Sequence, residues 1–191
     1  DVSWSVMRNR FLNQLHAVWH SQYQGFVWLA LGLMVMVGQV SAKQTLLVMG
    51  DSLSAAYNLP AEQGWVAQLQ RRLQSQGYGY RVVNASVSGE TTSGGRNRIQ
   101  RALTQHKPRL VLLELGANDG LRGLPVKETR DNLAFMMDAI RRSGAKVLLL
   151  GIRIPPNYGP QYTQAFGDIY AGLAKEKKAP TEGCACGFAF V

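Results

Sequence analysis

Cysteine and histidine are the scarce residues of this 191-residue chain: two cysteines, Cys184 and Cys186, and three histidines, His16, His20 and His106. Two cysteines one residue apart exclude a disulfide framework and cannot make a four-ligand zinc site from cysteine. A single Cys-x-Cys with no supporting histidine is a weak metal signal, and neither a metal nor another cofactor is expected. Charged residues are 17% of the chain against 46% hydrophobic. That balance excludes disorder, because a chain this apolar can offset its chain entropy with a core. The length fits one domain. Lys and Arg number 21 against 12 Asp and Glu, a net charge of +9, but the excess is spread out. Its densest run, KEKK at 175–178, contains an acid, and Arg96, Arg98 and Arg101 read as one solvated helix face. Without a basic stripe and interleaved aromatics, no nucleic-acid partner is expected.

Long apolar runs are also lacking. FVWLALGLMVMV at 26–37 is uncharged but falls short of the roughly 20 residues that cross a membrane, so no stable span is expected. Arg8 and Arg10 precede it and Val40-Ser41-Ala42 follows, which is the basic, apolar, small-residue order of a secretory signal peptide. Residues 1–42 are therefore expected to be a leader, with Met7 as a candidate start and cleavage before Lys43. No cysteine follows the run to carry a lipid anchor. The expected destination is export, periplasmic or secreted.

In the remaining chain, four short apolar runs alternate with amphipathic stretches. The runs are 45–49 (TLLVM), 81–85, 110–115 and 146–152. Continuous apolar runs of this length, bounded by Gly, Asn and Pro, fit strands buried on both faces. Trp65, Val66, Leu69 and Leu73 recur at helical spacing before Gly77. Ile99 and Leu103 mark a second helix ended by Pro108, and Leu133, Met136, Met137 and Ile140 a third closed by Gly144. A fourth is expected over 164–175. Strand and helix alternating at this rhythm predict one α/β domain with a parallel sheet covered on both faces.

Ligands of such sheets bind outside the carboxyl ends of the strands. After the first run comes Gly50-Asp51-Ser52-Leu53-Ser54, and after the second Asn84-Ala85-Ser86-Val87-Ser88-Gly89-Glu90. The third is followed by Gly116-Ala117-Asn118-Asp119-Gly120, the fourth by Arg153-Ile154-Pro155-Pro156-Asn157-Tyr158. Each segment alone reads as turn chemistry. Together they place a hydroxyl, a bare backbone N–H and a carboxamide at one end of adjacent strands, which is what acyl transfer needs. Attack on an ester carbonyl makes an oxyanion, and each donor aimed at it lowers the barrier by roughly 2.7–4 kcal/mol. Ser52 is the candidate nucleophile. Its own N–H, the Gly89 N–H and the Asn118 amide are the candidate donors. Glycine at 89 would leave no Cβ to block the substrate. No Gly-rich phosphate cradle follows the first strand, which leaves a flavin-type cofactor without a seat.

On these residues the chain resembles the GDSL, or SGNH, hydrolase superfamily, and within it the bacterial periplasmic branch with thioesterase, arylesterase and lysophospholipase activity. Ser52 in Gly-Asp-Ser-Leu-Ser, Gly89 in Asn-Ala-Ser-Val-Ser-Gly-Glu and Asn118 in Gly-Ala-Asn-Asp-Gly match its first three blocks in order. The resemblance runs from about residue 45 to 180. It implies a flavodoxin-like three-layer α/β/α sandwich and metal-free serine hydrolysis of small-molecule acyl esters or thioesters. It also implies an acyl groove beside the third and fourth loops, where Leu121, Ile154, Pro155 and Tyr158 are the candidate substrate contacts.

The family's fourth block, Asp-x-x-His-Pro near the C-terminus, carries the base and its orienting acid, and it is not found here. The resemblance stops at Pro180, and TEGCACGFAFV (181–191) reads as an unrelated tail, so the C-terminal strand and helix are expected to be lost. His16 and His20 leave with the leader. His106 precedes the third strand while Asn118 follows it, and six strand residues span roughly 20 Å, so His106 is at the wrong edge to serve Ser52. The chain as written is therefore expected to be impaired, and either a reading-frame slip near codon 180 or a natural truncation accounts for the tail. The alternative is a catalytically inactive acyl-chain-binding remnant.

Overall fold

The computed structural model describes residues 43–178; the expected leader, the tail expected to be unrelated and both cysteines lie outside them. Among the described residues, four strands form one parallel sheet: β1 (Gln44–Gly50), β2 (Tyr80–Asn84), β3 (Leu110–Glu114) and β4 (Lys146–Leu149), in the order β2-β1-β3-β4. Five α-helices accompany them there: α1 (Trp65–Ser75), α2 (Thr92–His106), α3 (Ala117–Leu121), α4 (Val126–Arg142) and α5 (Pro160–Glu176). Among the described residues no helix is long and apolar enough to cross a membrane.

The strands are continuous apolar runs because both faces are covered. Alternate side chains of a strand point to opposite faces. Leu47 and Met49 of β1, with Val111 and Leu113 of β3, face a core built from Ile99 of α2, Leu133, Met136, Met137 and Ile140 of α4, and Phe166, Ile169 and Leu173 of α5. Leu46, Val48 and Leu112 face the other way, onto Val66, Leu69 and Leu73 of α1. Each fully buried aliphatic side chain contributes about 1.5–3 kcal/mol relative to exposure, so the two faces together fix the register. Gly50 pairs with Glu114 at the carboxyl edge, and Val48 with Asn84. The result is the expected α/β/α sandwich with flavodoxin-like strand order.

That order makes β1 a topological switch point: the chain passes from β1 to β2 on one side, then returns to β3 on the other. Crevices at such points receive ligands, because the loops on either side diverge. The segments after β1, β2 and β3 open onto this one.

Candidate active site

The turn after β1 carries Ser52. Asp51 is fully buried, and its Oδ1 accepts the Leu53 N–H at 3.0 Å, folding the chain back over itself. Ser54, also buried, turns inward, while Ser52 is half-exposed. The turn is closed by the Ala55 N–H to the Asp51 carbonyl (2.9 Å) and the Tyr57 N–H to the Ser52 carbonyl (3.2 Å).

The loop after β2 brings Gly89. It is held at its root by an ion pair between Arg98 and the Glu90 carboxylate, whose side chain is 8% exposed. Arg98 Nε donates to Glu90 Oε1 at 2.6 Å and Nη1 to the Ala85 carbonyl at 2.6 Å, so one guanidinium spans the loop from 85 to 90. Gly89 has φ +77°, a left-handed conformation that glycine adopts without steric cost. A Cβ there would meet only Arg122 Nη2, at 4.0 Å. The backbone conformation itself thus favours glycine, and the space beside the residue is otherwise open. Arg122 also donates to the Gly89 carbonyl at 3.1 Å.

Asn118 joins the loops. The segment after β3 reads as a turn in sequence, yet it winds into α3 and projects Asn118 from the helix's first turn. Its Nδ2 donates to the Glu90 carbonyl at 3.0 Å and to Asp51 Oδ2 at 3.2 Å. One carboxamide thus ties the residue before Ser52 to the residue after Gly89. Neighbouring Asp119 is buried and accepts the Thr92 N–H (2.9 Å) and hydroxyl (2.5 Å), capping α2 and locking α3 beside it. Among the described residues, neither the Ser52 nor the Gly89 N–H is used in a hydrogen bond.

The sheet brings Ser52, Gly89 and Asn118 to one edge and leaves His106 elsewhere, at the C-terminal end of α2, separated from the site by the length of β3. His106 is the only histidine among the described residues. The candidate substrate contacts divide. Leu121 is 44% exposed, and the Tyr158 hydroxyl donates to its carbonyl at 2.9 Å, which links the third and fourth loops. Pro155, half-buried, opens the short turn that ends in Tyr158. Ile154 is buried in the core against Gly120, although it also borders a groove of about 580 Å³ between residues 151–156 and α5.

Two features escaped the sequence reading. Glu114, the last residue of β3, is 5% exposed, and Ser54 Oγ donates to its Oε2 at 2.6 Å. Burial, the adjacent Asp51 charge second, pushes the Glu114 carboxyl up to about 8. Asp51 is raised too, chiefly by burial. The other missed feature is the Glu90–Arg98 pair. Arg98 is no member of a solvated face as expected: it is turned into the loop root. An acid at the end of an apolar run and an arginine six residues into a polar helix carry no local signal of either role. Among the described residues, no group of three or more His, Cys, Asp or Glu side chains is placed to hold a metal ion.

Comparison with known proteins bears on this geometry. Residues 48–182 match the GDSL-like lipase/acylhydrolase family model. Esterase TesA of Pseudomonas aeruginosa is 54% identical over 145 residues, covering 76% of this chain and 72% of that protein. Thioesterase 1/protease 1/lysophospholipase L1 of Escherichia coli K12 is 44% identical over 148 residues, covering 78% and 70%. Among solved structures, a psychrotrophic esterase EstA from Pseudoalteromonas sp., inhibited by monoethylphosphonate, is 43% identical with a TM-score of 0.69, covering 71% of this chain and 74% of that one. With the family model matching well over half the chain and these relatives sharing its fold, this protein belongs to the GDSL-like lipase/acylhydrolase family.

Proposed function

We propose that this protein is an exported serine hydrolase of carboxylic esters and acyl thioesters, acting through an acyl-enzyme on Ser52. The observation that carries the reading is the Asn118 carboxamide, which gathers the turn of Ser52 and the loop of Gly89 at one crevice. Ser52 Oγ attacks the acyl carbon, and the alcohol or thiol leaves. Water then attacks the same carbon and releases the acid and the free serine. The unused N–H groups of Ser52 and Gly89 are the donors for the oxyanion. Asn118 becomes the third by exchanging its longer bond, to Asp51, for the oxyanion. The acyl chain lies along Leu121 and Tyr158, on the linked third and fourth loops. The relatives' names, esterase and thioesterase/lysophospholipase, favour this over the acyl-binding remnant.

Serine attack needs a base within about 3 Å of the hydroxyl proton, or one water away. Asp51 is turned to Leu53 and Asn118, and His106 is remote. We assign the base to the family's Asp-x-x-His-Pro segment, and expect the 191 residues without it to turn over slowly. Resequencing through codon 180 in all three frames separates a frame slip from a natural truncation. A p-nitrophenyl ester assay with and without the segment tests the function: Ser52-dependent hydrolysis that rises by orders of magnitude when the segment is present supports it. Saturable fatty-acid binding with no hydrolysis in the extended form would replace it with the acyl-binding reading.

Asn118→Ala is expected to lower kcat on the order of 100- to 1,000-fold in the extended form, the usual cost of one oxyanion donor. Asn118→Asp, which keeps the shape but loses the donor hydrogens, is expected to be at least as slow. Steady-state kinetics with KM near the parent value would place the loss in the chemical step.

A further inference from the structure

Beneath the turn that carries Ser52 lies a carboxyl group that the hydrolytic steps do not use. Glu114 sits at the carboxyl end of β3, level with Gly50 of β1. Its Oε2 takes the Ser54 hydroxyl at 2.6 Å, while its Oε1 is buried with no hydrogen-bond partner, and the Asp51 backbone bears on the carboxyl as a whole. The fit is tight: a Cβ on Gly50 would stand 2.8 Å from Oε2 and 2.6 Å from Ser54 Oγ. Ser54 in turn passes the connection on, its carbonyl accepting Asn84 Nδ2 at 2.7 Å from the end of β2. Glu114 is therefore the buried post around which residues 50–55 fold, and Ser52 lies within that stretch.

We propose that Glu114 is a positioning residue that acts through Ser54 to hold the turn presenting Ser52. The inference rests on Ser52 being the nucleophile.

The geometry also selects a protonation state. A buried carboxylate oxygen with no donor keeps its share of a full charge without compensation, whereas a buried hydroxyl with no acceptor costs about 1–3 kcal/mol. The orphaned Oε1 is therefore the protonated oxygen, and Oε2 is the carbonyl that receives Ser54. The surroundings agree. The ionisable groups that bear on this carboxyl are Asp51 from the turn itself and the Tyr170 phenol from α5, with Asp119 of α3 and Glu90 of the second loop behind Asp51. All become negative on titration, so each opposes a charge on Glu114. Removing its proton would put two carboxylates under one turn and loosen it.

The test uses the 191-residue chain and three variants, Glu114→Gln, Glu114→Ala and Ser54→Ala. Amide exchange over residues 51–57 reads the turn without requiring turnover. Glu114→Ala is expected to speed that exchange about tenfold or more, the size of one lost buried hydrogen bond, and Glu114→Gln to stay near the parent. Between about pH 6 and pH 9, after correction for intrinsic rates, the parent segment is expected to loosen and the Gln variant to hold. Read in the extended form that carries the base, the rate at which a fluorophosphonate modifies Ser52 should follow: down about tenfold in Glu114→Ala and restored within a few-fold by Gln.

Unchanged exchange in Glu114→Ala, or labelling of Ser52 at the parent rate, overturns the proposal. If Glu114→Ala loses its fold by circular dichroism, Ser54→Ala, which deletes one hydroxyl, must show the same two changes at smaller size. If Ser52 is never labelled even in the extended form that carries the Asp-x-x-His-Pro segment, the nucleophile assignment falls instead, and the exchange measurement then decides the post by itself.

Discussion

Ser52→Ala is expected to cost on the order of a millionfold in ester turnover when an Asp-x-x-His-Pro segment is present, and almost nothing in the 191-residue chain. The asymmetry follows from the way nucleophile and base act as a unit. In a serine protease, removing the serine or the histidine alone costs about as much as removing the whole triad, and the residual rate comes from the oxyanion hole and binding. A serine without a base is therefore already at that residual level, and deleting its hydroxyl removes little more. The oxyanion donors stand apart from this coupling, since the N–H groups of Ser52 and Gly89 survive the substitution to alanine. Hydrolysis of a p-nitrophenyl ester by four proteins, with and without the segment and with and without Ser52, measures the coupling directly. A large Ser52 effect in the chain without the segment would mean that a base other than the expected histidine works on Ser52. A small effect in both backgrounds would remove Ser52 from the chemistry altogether.

The candidate residues Ser52, Gly89 and Asn118 were legible in sequence as a group at one sheet edge, whereas the contacts that support them were not. Ser52, Gly89 and Asn118 stand in loops, directly after apolar runs, and the sheet rule puts such loops at one edge without any knowledge of contacts. The four strands were legible for the same reason, since burial on both faces leaves an unbroken apolar run. β4 is shorter than its run, ending at Leu149 instead of 152, although the Leu150 N–H still reaches the Leu113 carbonyl at 2.9 Å. Helix α2 was legible only in its second half. TSGGRNR has poor helix propensity and no apolar stripe, so Ile99 and Leu103 alone announced it. The first half is helical because tertiary contacts override propensity. Thr91 caps it, Asp119 takes the Thr92 N–H from another loop, and Gly95 has to lack a Cβ that would stand 2.4 Å from Leu115.

What sequence could not show are partnerships across long separations. Glu114 and Ser54 are 60 residues apart, and Asn118 and Asp51 are 67. In isolation each side chain has several bland uses. Only the register of β1 against β3, which places Gly50 opposite Glu114, converts two unremarkable polar residues into a buried pair. The candidate chemistry is thus written in the loops, and its mechanical support is written in the pairing of strands.

That support makes a second large effect measurable. Raising the pH from about 4.5 to about 8 is expected to destabilise the folded protein by on the order of 5 kcal/mol through Glu114 alone. The carboxyl rises from an ordinary 4.5 to about 8 on folding, mainly because burial disfavours its charge. The folded state therefore holds a proton that the unfolded chain gives up. The stabilisation is complete below pH 4.5, declines by about 1.4 kcal/mol per unit above it, and is gone once the pH passes the folded value. Asp51, also raised chiefly by burial, acts with the same sign. This is the reverse of the usual carboxylate, whose native ion pair is lost in acid. For a domain of this size the Glu114 contribution corresponds to a melting-temperature difference on the order of 10 °C. Melting curves of the parent and Glu114→Gln across that range isolate it, because the amide keeps the Ser54 acceptor and cannot titrate. The parent should lose stability relative to the variant as pH rises, with the gap widening until about pH 8 and then constant. A constant gap across the whole range would mean that Glu114 carries its charge when folded. The orphaned oxygen would then have to be reached by a donor that moves in when the charge forms.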